Sequence, residues 1–366
     1  MRRSNVKTQV MNLGILLVLF LSATQAAKGD FVFGTAKHLG LPVNSGEYEW
    51  FPRLEADGLS LHFIRNLDEW ENWMATRETQ DDPWDSAVRL EGRPNWYASF
   101  GVVPGVTPMD GLEVYLWAGM EGGYGESDIY VRTRETIDSP LSTPATNLGP
   151  QVNTQASEFM PSISPNGLEL YFSDYALERT RLNGYGGDDL WMTRRATRSD
   201  PWEEPINLGP QVNSAANDSR LHISADGLVL FFDSARSWAN GGSDLYMTRR
   251  KSLSAPWGDA MSLGPNVNSP YSEYNPCISA DGRTLIFVRN EDLWQASVDP
   301  IVDLNGDGLV DCIDICDLVA NWGTDNSRYD IGPMPWGDGV VNAEDLLVLA
   351  EHLVADTADV NDVNDL

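Results

Sequence analysis

The feature of this sequence that most constrains its fold is an internal repeat of about 55 residues. The phrase Leu-Gly-x-x-Val-Asn occurs four times, and an Asp-Gly or Asn-Gly pair begins 18 residues after each Leu. A fifth pair lies between the first two, so the turn pairs begin at Asp57, Asp110, Asn166, Asp226 and Asp281. A repeat of this size buries its apolar face only against its neighbours, so the period determines the fold between residues 38 and 300.

Each repeat has the pattern of four short antiparallel strands. The Asp-Gly or Asn-Gly pair can adopt the positive φ of a tight hairpin turn, and an alternating segment such as residues 168–172 follows it. This pattern, which lacks helical periodicity, predicts an all-β five-bladed β-propeller over residues 28–300, with an open stack of β-sheets as the alternative. The closed ring is favoured because residues 31–36 can supply the strand that the fifth repeat lacks, which removes a free sheet edge.

The third repeat carries the pattern of a known family. Residues 161–172 read Pro-Ser-Ile-Ser-Pro-Asn-Gly-Leu-Glu-Leu-Tyr-Phe, and Asp-Leu-Trp follows at 189–191. This pattern resembles the WD-like propeller repeats of the TolB type. The second repeat departs from it, because Leu141 stands where other repeats have Trp after Pro. The resemblance implies a propeller with a binding surface, and such propellers serve many functions.

The N-terminus has the pattern of a secretory signal peptide. Arg2, Arg3 and Lys7 precede an apolar run at residues 13–21, and small residues follow it. The alternative, a membrane anchor, would need about 20 apolar residues, which is more than this run provides. We therefore predict a signal peptide over residues 1–26 and a chain exported to the extracellular space, the cell surface or the periplasm, without membrane insertion of the mature chain.

Charge and composition exclude several classes of function. The chain has 25 Lys and Arg against 54 Asp and Glu, a formal net charge of −29, which repels phosphate backbones and argues against nucleic-acid binding. Three cysteines cannot form a disulfide framework, and four histidines leave few options for imidazole chemistry. Catalysis or metal binding would have to use carboxylates.

The strongly acidic C-terminal segment contains a calcium-loop pattern. Residues 303–314 place side-chain oxygens at positions 1, 3, 5, 9 and 12, a glycine at position 6 and a main-chain carbonyl at position 7. Calcium takes six to eight hard oxygen ligands, and this spacing gathers them around one point. The predicted ligands of a first calcium ion are Asp303, Asn305, Asp307, Leu309, Asp311 and Asp314.

A degraded second loop and a second helix pattern follow. The second loop lacks carboxylates at positions 1 and 3, where Met334 and Trp336 stand, and Asp330 reaches it only if residues 331–336 bulge outward. The remaining candidate ligands are Asp338, Val340, Asn342 and Asp345. A duplicated loop and helix with Asp at position 12 resembles a type I dockerin over residues 301–355. The resemblance implies a cohesin-type partner and extracellular polysaccharide catabolism; residues 356–366 form an acidic tail.

Four acidic residues recur in register, each eight residues before its turn pair: Glu49, Glu158, Asp218 and Glu273. The second repeat has Val102 at this position. If these acids line one mouth of the propeller, they are weak catalytic candidates or contacts for a cation or a polyhydroxylated ligand. The alternative, which we favour, is that each acid caps a local turn.

Three classes of function remain open. The first is a non-catalytic propeller that binds glycan or protein, for which Trp96 and Tyr97 in the deviant second repeat are candidate sugar contacts. The second is a glycoside hydrolase or lyase, because a pair of carboxylates suffices to cleave a glycosidic bond. The third is a periplasmic assembly factor like the Tol propeller. The first is preferred, since the repeats offer no unique acid/base pair.

Overall fold

A computed structural model describes residues 31–67, 70–90, 110–142, 144–175, 181, 183–236, 242–306, 309–326, 328–332, 337 and 339–353. The predicted signal peptide and acidic tail lie outside these residues. The same holds for the candidate sugar contacts Trp96 and Tyr97 and for the candidate calcium ligands Asp307 and Asp338.

The described residues form twenty strands and two helices. The strands are β1 (Phe31–Phe33), β2 (Lys37–His38), β3 (Tyr48–Leu54), β4 (Ser60–Asn66), β5 (Trp70–Thr76), β6 (Val88–Arg89), β7 (Glu113–Ala118), β8 (Asp128–Thr133), β9 (Thr146–Asn147), β10 (Ser157–Ile163), β11 (Glu169–Tyr175), β12 (Leu190–Arg194), β13 (Ile206–Asn207), β14 (Asp218–Ile223), β15 (Val229–Ser234), β16 (Asp244–Arg249), β17 (Met261–Ser262), β18 (Glu273–Ile278), β19 (Thr284–Arg289) and β20 (Asp292–Pro300). The helices are α1 (Cys312–Ala320) and α2 (Ala343–His352).

The strands form five antiparallel sheets, which are the five blades of a β-propeller. Blades one, three and four are β3–β6, β10–β13 and β14–β17, each in sequential order from the inner to the outer strand. Blade two is described by β7–β9, and blade five combines β18–β20 with β1 and β2. The predicted five-bladed fold is confirmed.

The N-terminal strands close the ring. In β1, Phe31 pairs with Pro300 and Phe33 with Val298, and in β2, Lys37 pairs with Gln295. Residues 31–33 pair with the last strand as predicted, but the strand that occupies the outer position in blade five is β2 at residues 37–38, just beyond the predicted segment 31–36. At Gly34, between the two strands, an added Cβ would lie 2.2 Å from Ser297 Oγ, so a larger residue would require that hydroxyl to rotate away. Both Phe side chains are buried in the core of the closing blade.

The repeated phrase Leu-Gly-x-x-Val-Asn forms the link between successive blades. The Asn side chain accepts a hydrogen bond from, and donates one to, a single residue in the third strand of the preceding blade, at 2.8–3.0 Å. These pairs are Asn44 with Leu293, Asn153 with Ile129, Asn213 with Leu190, and Asn268 with Leu245. The Val of each phrase is fully buried, so the phrase recurs because it fixes one blade to the next.

The C-terminal helices have matching starts. Asp311 caps α1 and Asn342 caps α2, and in each case an Asp three residues later completes a capping box. The two halves share a small apolar core that includes Leu304, Leu318 and Ile331. No helix among the described residues is long and apolar enough to cross a membrane.

Candidate functional site at the propeller axis

The inner strands of four blades share an unusual backbone feature. The antiparallel register shifts once within each of β3, β10, β14 and β18, which is the signature of a β-bulge. At each bulge a residue other than glycine has a φ of 51–55°, two positions after the repeated acid: Phe51, Met160, Arg220 and Asn275. The left-handed conformation is unfavourable for a non-glycine residue by about 1–3 kcal/mol, so its recurrence in four blades indicates that the surrounding structure holds each bulge in place.

The four bulges line one pocket. Its walls are Phe51, Pro52, Arg53, Met160, Arg220, Leu221, Asn275 and Pro276. These residues come from the inner strands of four blades, which places the pocket on the propeller axis. The space that it encloses is about that of a single water molecule, far less than the roughly 300–1,000 Å³ of pockets that enclose a drug-sized ligand. The pocket therefore has room for no more than a water molecule or a group of similar size.

The four repeated acids do not line this pocket. Each is fully buried, and its carboxylate accepts the N–H and the hydroxyl hydrogen of a Ser or Thr four residues earlier, the hydroxyl at 2.6–2.7 Å. Each also faces an arginine of its own blade. The nitrogen-to-oxygen distances are 2.7 Å for Arg65 and Glu49, 3.9 Å for Arg181 and Glu158, 2.5 Å for Arg236 and Asp218, and 2.7 Å for Arg289 and Glu273.

The arginines complete a repeated unit that we call the latch: one acid, its Ser or Thr, and its arginine. Each arginine also donates to the carbonyl of the buried Val in the linking phrase and lies over an aromatic ring of its blade. The rings are Trp73, Trp191, Tyr246 and Trp294, at 4.2–5.2 Å from the guanidinium carbon. In the second repeat the sequence has Val102 at the acid position and Ala118 at the arginine position, so the two partners are missing together.

This geometry places each acid in a separate setting within its own blade, where its carboxylate accepts hydrogen bonds from a Ser or Thr. Burial raises the pKa of Glu158 to about 7 and also raises the pKa of Glu273. Cleavage of a glycosidic bond uses two carboxylates that flank the same bond. In four of the five blades the latch instead places a single carboxylate beside an arginine, an arrangement suited to tying a turn to its blade.

A buried acid beside the pocket was not identified from the sequence. Asp233 accepts hydrogen bonds from Arg220 at 2.9 Å, from the hydroxyls of Ser219 and Ser243 at 3.2 Å, and from the N–H of Asn275 at 3.3 Å. Burial raises its pKa to about 6. The available signal was a break in the repeat, since Asp233 follows Phe-Phe where Ser173 follows Tyr-Phe in the third repeat.

A second layer of side chains lies two residues beyond the bulges. Three of its members accept a main-chain N–H from the following inner strand: Ser162 Oγ from Ile223 at 3.1 Å, His222 Nδ1 from Ile278 at 3.4 Å, and Cys277 Sγ from Leu54 at 3.4 Å. The fourth member is Arg53. Burial lowers the pKa of His222 well below its ordinary value and raises that of the Cys277 thiol, so both side chains are neutral at pH 7.

The predicted calcium loops lie at the starts of the two helices. Asp314 is buried; its Oδ1 accepts the N–H groups of Leu304 and Asn305 at 2.7 and 3.1 Å, and its Oδ2 accepts that of Asp311 at 2.8 Å. Asp303 accepts the N–H of Gly306 at 2.7 Å. The side chains of Asp303, Asp311 and Asp314 thus accept main-chain N–H groups of their own loop and helix start, and Asn305 donates one of these N–H groups.

The second loop is longer than the first, and it includes Asp330 in addition to the ligands predicted from the sequence. Asp345 accepts the N–H groups of Gly332 and Asn342 at 2.8 and 2.6 Å, as Asp314 does in the first loop. Asp330 accepts the N–H of Gly339 at 2.8 Å. Asp330 therefore joins this loop, which the sequence allowed only if the intervening residues bulge outward.

The described residues do not by themselves assemble a metal centre. Within the ranges that the structure describes, no group of three or more His, Cys, Asp or Glu side chains is placed to hold a metal ion. One candidate ligand of each loop, Asp307 and Asp338, lies outside these ranges. The carbonyl residues Leu309 and Val340 are exposed at their loops. Calcium binding by either loop therefore stays a prediction.

Comparisons with known proteins give similarity of fold. No protein-family model and no curated protein matches the chain. Among solved structures it is similar to TolB from Acinetobacter baumannii, with 11% identity, a TM-score of 0.39, and coverage of 81% of this chain and 71% of that one. It is also similar to a thermostable family-43 glycoside hydrolase, with 12% identity, a TM-score of 0.47, and coverage of 71% of this chain and 91% of that one. An α-L-arabinofuranosidase from Podospora anserina is similar with 10% identity, a TM-score of 0.47, and coverage of 74% of this chain and 99% of that one. Function is therefore inferred from the residues of this chain.

Proposed function

We propose that this chain is an exported, non-catalytic propeller that binds glycan or protein and is tethered through a calcium-binding, dockerin-like module to a cohesin-type partner, in extracellular polysaccharide catabolism. The observation that supports the first part is the latch. The four acids that repeat through the propeller are buried against Ser or Thr and face an arginine within their own blades. A glycoside hydrolase or lyase built on these acids would need two of them to face one bond.

The oxygen donors of the C-terminal loops support the calcium part of the proposal. Carboxylate, amide and carbonyl oxygens are the ligands that calcium takes, and the described members of both loops are of these kinds. Asp303, Asn305, Leu309, Asp311 and Asp314 would hold the first ion, with Asp307. A bound ion would supply rigidity, because it would link the start of the loop to the start of the helix. A Tol-like assembly role would leave these two loops without a purpose.

Exposed apolar side chains on the C-terminal helices support a protein partner. Ile313, Val319 and Trp322 on and after α1 are each about half exposed, and Leu347 of α2 is 67% exposed. Several exposed large apolar side chains on a small, highly charged module are consistent with a protein contact. A cohesin-type partner would cover some of these side chains, which would explain exposed apolar residues in a segment so rich in acids.

The calcium part of the proposal predicts a measurable site in the full chain. Isothermal titration should detect at least one calcium ion with a dissociation constant of about 10 μM or tighter, in the range of sensor loops. Replacing Asp314 with Asn should weaken binding at least about tenfold, because one charged ligand is lost. Asp325→Asn, an exposed acid of the same module, is the matched control and should bind as the unaltered chain does. Equal weakening by both substitutions, or no calcium binding at all, would contradict this part of the proposal.

A further inference from the structure

One face of the propeller carries the starts of the inner and third strands and the ends of the second strands, and we call it the entry face. In blade one the register shows this arrangement, because Tyr48 pairs with Asn66 and Asn66 pairs with Trp70. The other blades have the same strand order. The Asp-Gly and Asn-Gly turns lie on the opposite face, where Arg283 contacts Glu351 of the C-terminal module at 3.3 Å. The module therefore contacts the face opposite to the entry face.

Four blade boundaries carry an exposed tyrosine on the entry face. In order from the boundary of blades two and three to that of blades five and one, these are Tyr124, Tyr185, Tyr271 and Tyr48, with 45–59% of each residue exposed. The first two belong to the loop between the second and third strands, and the other two lie at the entry to an inner strand. Because the four occupy different positions in the repeat, their recurrence is not the copy of one repeated residue.

Two of these tyrosines lie in loops that hold the main chain rigidly. The sequence Gly-Tyr-Gly surrounds both Tyr124 and Tyr185. The Tyr N–H donates to the repeated Asp at the start of the third strand, Asp128 at 2.7 Å in blade two and Asp189 in blade three. The second glycine of each loop packs against the next blade, where an added Cβ would clash with main-chain atoms. A ring presented on a fixed main chain loses little further freedom when it binds a ligand.

The loops around the tyrosines are acidic. The described segments 45–48, 119–127, 183–188, 214–217, 269–272 and 290–291 contain no Lys, Arg or His. Their exposed acids are Glu47, Glu121, Glu126 and Glu291. These charges repel an anionic polymer, whereas carboxylates and tyrosine hydroxyls form hydrogen bonds with sugar hydroxyls. A tyrosine ring also offers an apolar surface to the C–H face of a sugar ring. The ligand that suits this surface is therefore an uncharged chain with many hydroxyls.

We propose that the entry face binds a neutral polysaccharide, with sugar rings stacked on Tyr124, Tyr185, Tyr271 and Tyr48. The inference rests on the proposed binding function and names the surface and the class of its ligand. Contacts spread over several blade boundaries favour a long chain over a short one, because one bound sugar raises the local concentration of the next. The C-terminal module contacts the opposite face, so a tethered propeller would present its tyrosines away from the tether.

Affinity electrophoresis of the full chain tests the inference with three neutral polymers, xyloglucan, galactomannan and arabinan, and with the carboxymethyl derivative of each. We expect at least one neutral polymer to retard the protein, and its carboxymethyl derivative to bind at least about tenfold more weakly because of charge repulsion. The disaccharide unit of that polymer should also bind at least about tenfold more weakly than the polymer itself.

Substitutions of the two loop tyrosines locate the surface. Tyr124→Ala and Tyr185→Ala should each weaken binding about threefold or more, and the double variant at least about tenfold, since each change removes one aromatic contact. Ile137→Ala, at a 56% exposed residue on the opposite face of blade two, is the matched control and should bind as the unaltered chain does. All these side chains are exposed, so the melting temperatures should stay close to that of the unaltered chain.

Several results would overturn the inference. Equal or tighter binding of a carboxymethyl derivative, or binding that the double tyrosine variant leaves unchanged, would do so while leaving glycan binding by the propeller intact. Retention on none of the neutral polymers would also overturn it, and capture of a cationic peptide that depends on the same tyrosines would assign the face to a protein ligand. Cleavage of a polymer whose binding depends on Tyr124 and Tyr185 would contradict the non-catalytic proposal and support the assignment of the face.

Discussion

Replacing Phe33 with alanine is expected to lower the free energy of unfolding by about 3–5 kcal/mol, the usual loss for a buried phenylalanine. Phe33 lies in β1, which pairs with the last strand of the propeller, and its ring meets the edge of Phe231 of blade four at 6.5 Å between centroids. The substitution removes a contact that joins the N-terminus to two blades. Thermal unfolding should therefore occur roughly 10 °C lower, at a few degrees per kcal/mol for a domain of this size.

Val32 provides the matched control for this prediction. It is the neighbouring residue of the same strand, and its side chain is 49% exposed. Val32→Ala should change the free energy of unfolding by no more than about 0.5 kcal/mol, as is usual for exposed positions. If the two substitutions had equally small effects, β1 would not hold the ring closed.

Breaking a latch is expected to destabilise the propeller by a similar amount. Arg289→Met leaves Glu273 buried without its cation, and removing one partner of a buried ion pair typically costs about 3–5 kcal/mol. Arg283→Met removes an exposed arginine that pairs with Glu351 at 3.3 Å, and it should cost no more than about 1 kcal/mol.

A double-mutant cycle separates the pair from its surroundings. Glu273→Gln alone should also destabilise the protein, and the double variant should be less destabilised than the sum of the two single changes, because the second change removes a group already left unpaired. Chemical denaturation of the four proteins gives the coupling energy. Additive losses would show that the 2.7 Å contact between Arg289 and Glu273 does not stabilise the blade.

The repeat made most of the fold predictable. The turn pairs have the positive φ expected at their glycines, and the Asp or Asn of each pair accepts the N–H two residues on. The closing strand was also predictable, because blade five ends at Pro300 without an outer strand of its own. The turns depend on neighbouring residues and the closing strand follows from counting the strands of each repeat, so a single sequence suffices to find both.

The latch and the axial pocket were not predictable in the same way. Glu49 and Glu273 lie 16 residues before their arginines, whereas Asp218 lies 18 residues before Arg236 and the loop after β11 places Arg181 still farther from its acid. This variable spacing hides the pairing from a search for a fixed period. The pocket is lined by Arg53, Arg220 and Asn275. Arg220 and Asn275 occupy the bulge position of their strands and Arg53 lies two residues after it, but the three side chains differ in chemistry, so no repeated pattern marks them.

The claim that the propeller binds and does not cleave is tested most directly by measuring product release. The full chain is incubated with a panel of neutral and acidic polysaccharides, and new reducing ends and unsaturated sugar ends are measured alongside retention of the protein on each polymer. We expect retention on at least one polymer of the panel and no product above the protein-free blank. Product release that is lost in a folded Glu158→Gln or Glu273→Gln variant would contradict the claim and identify the propeller as an enzyme.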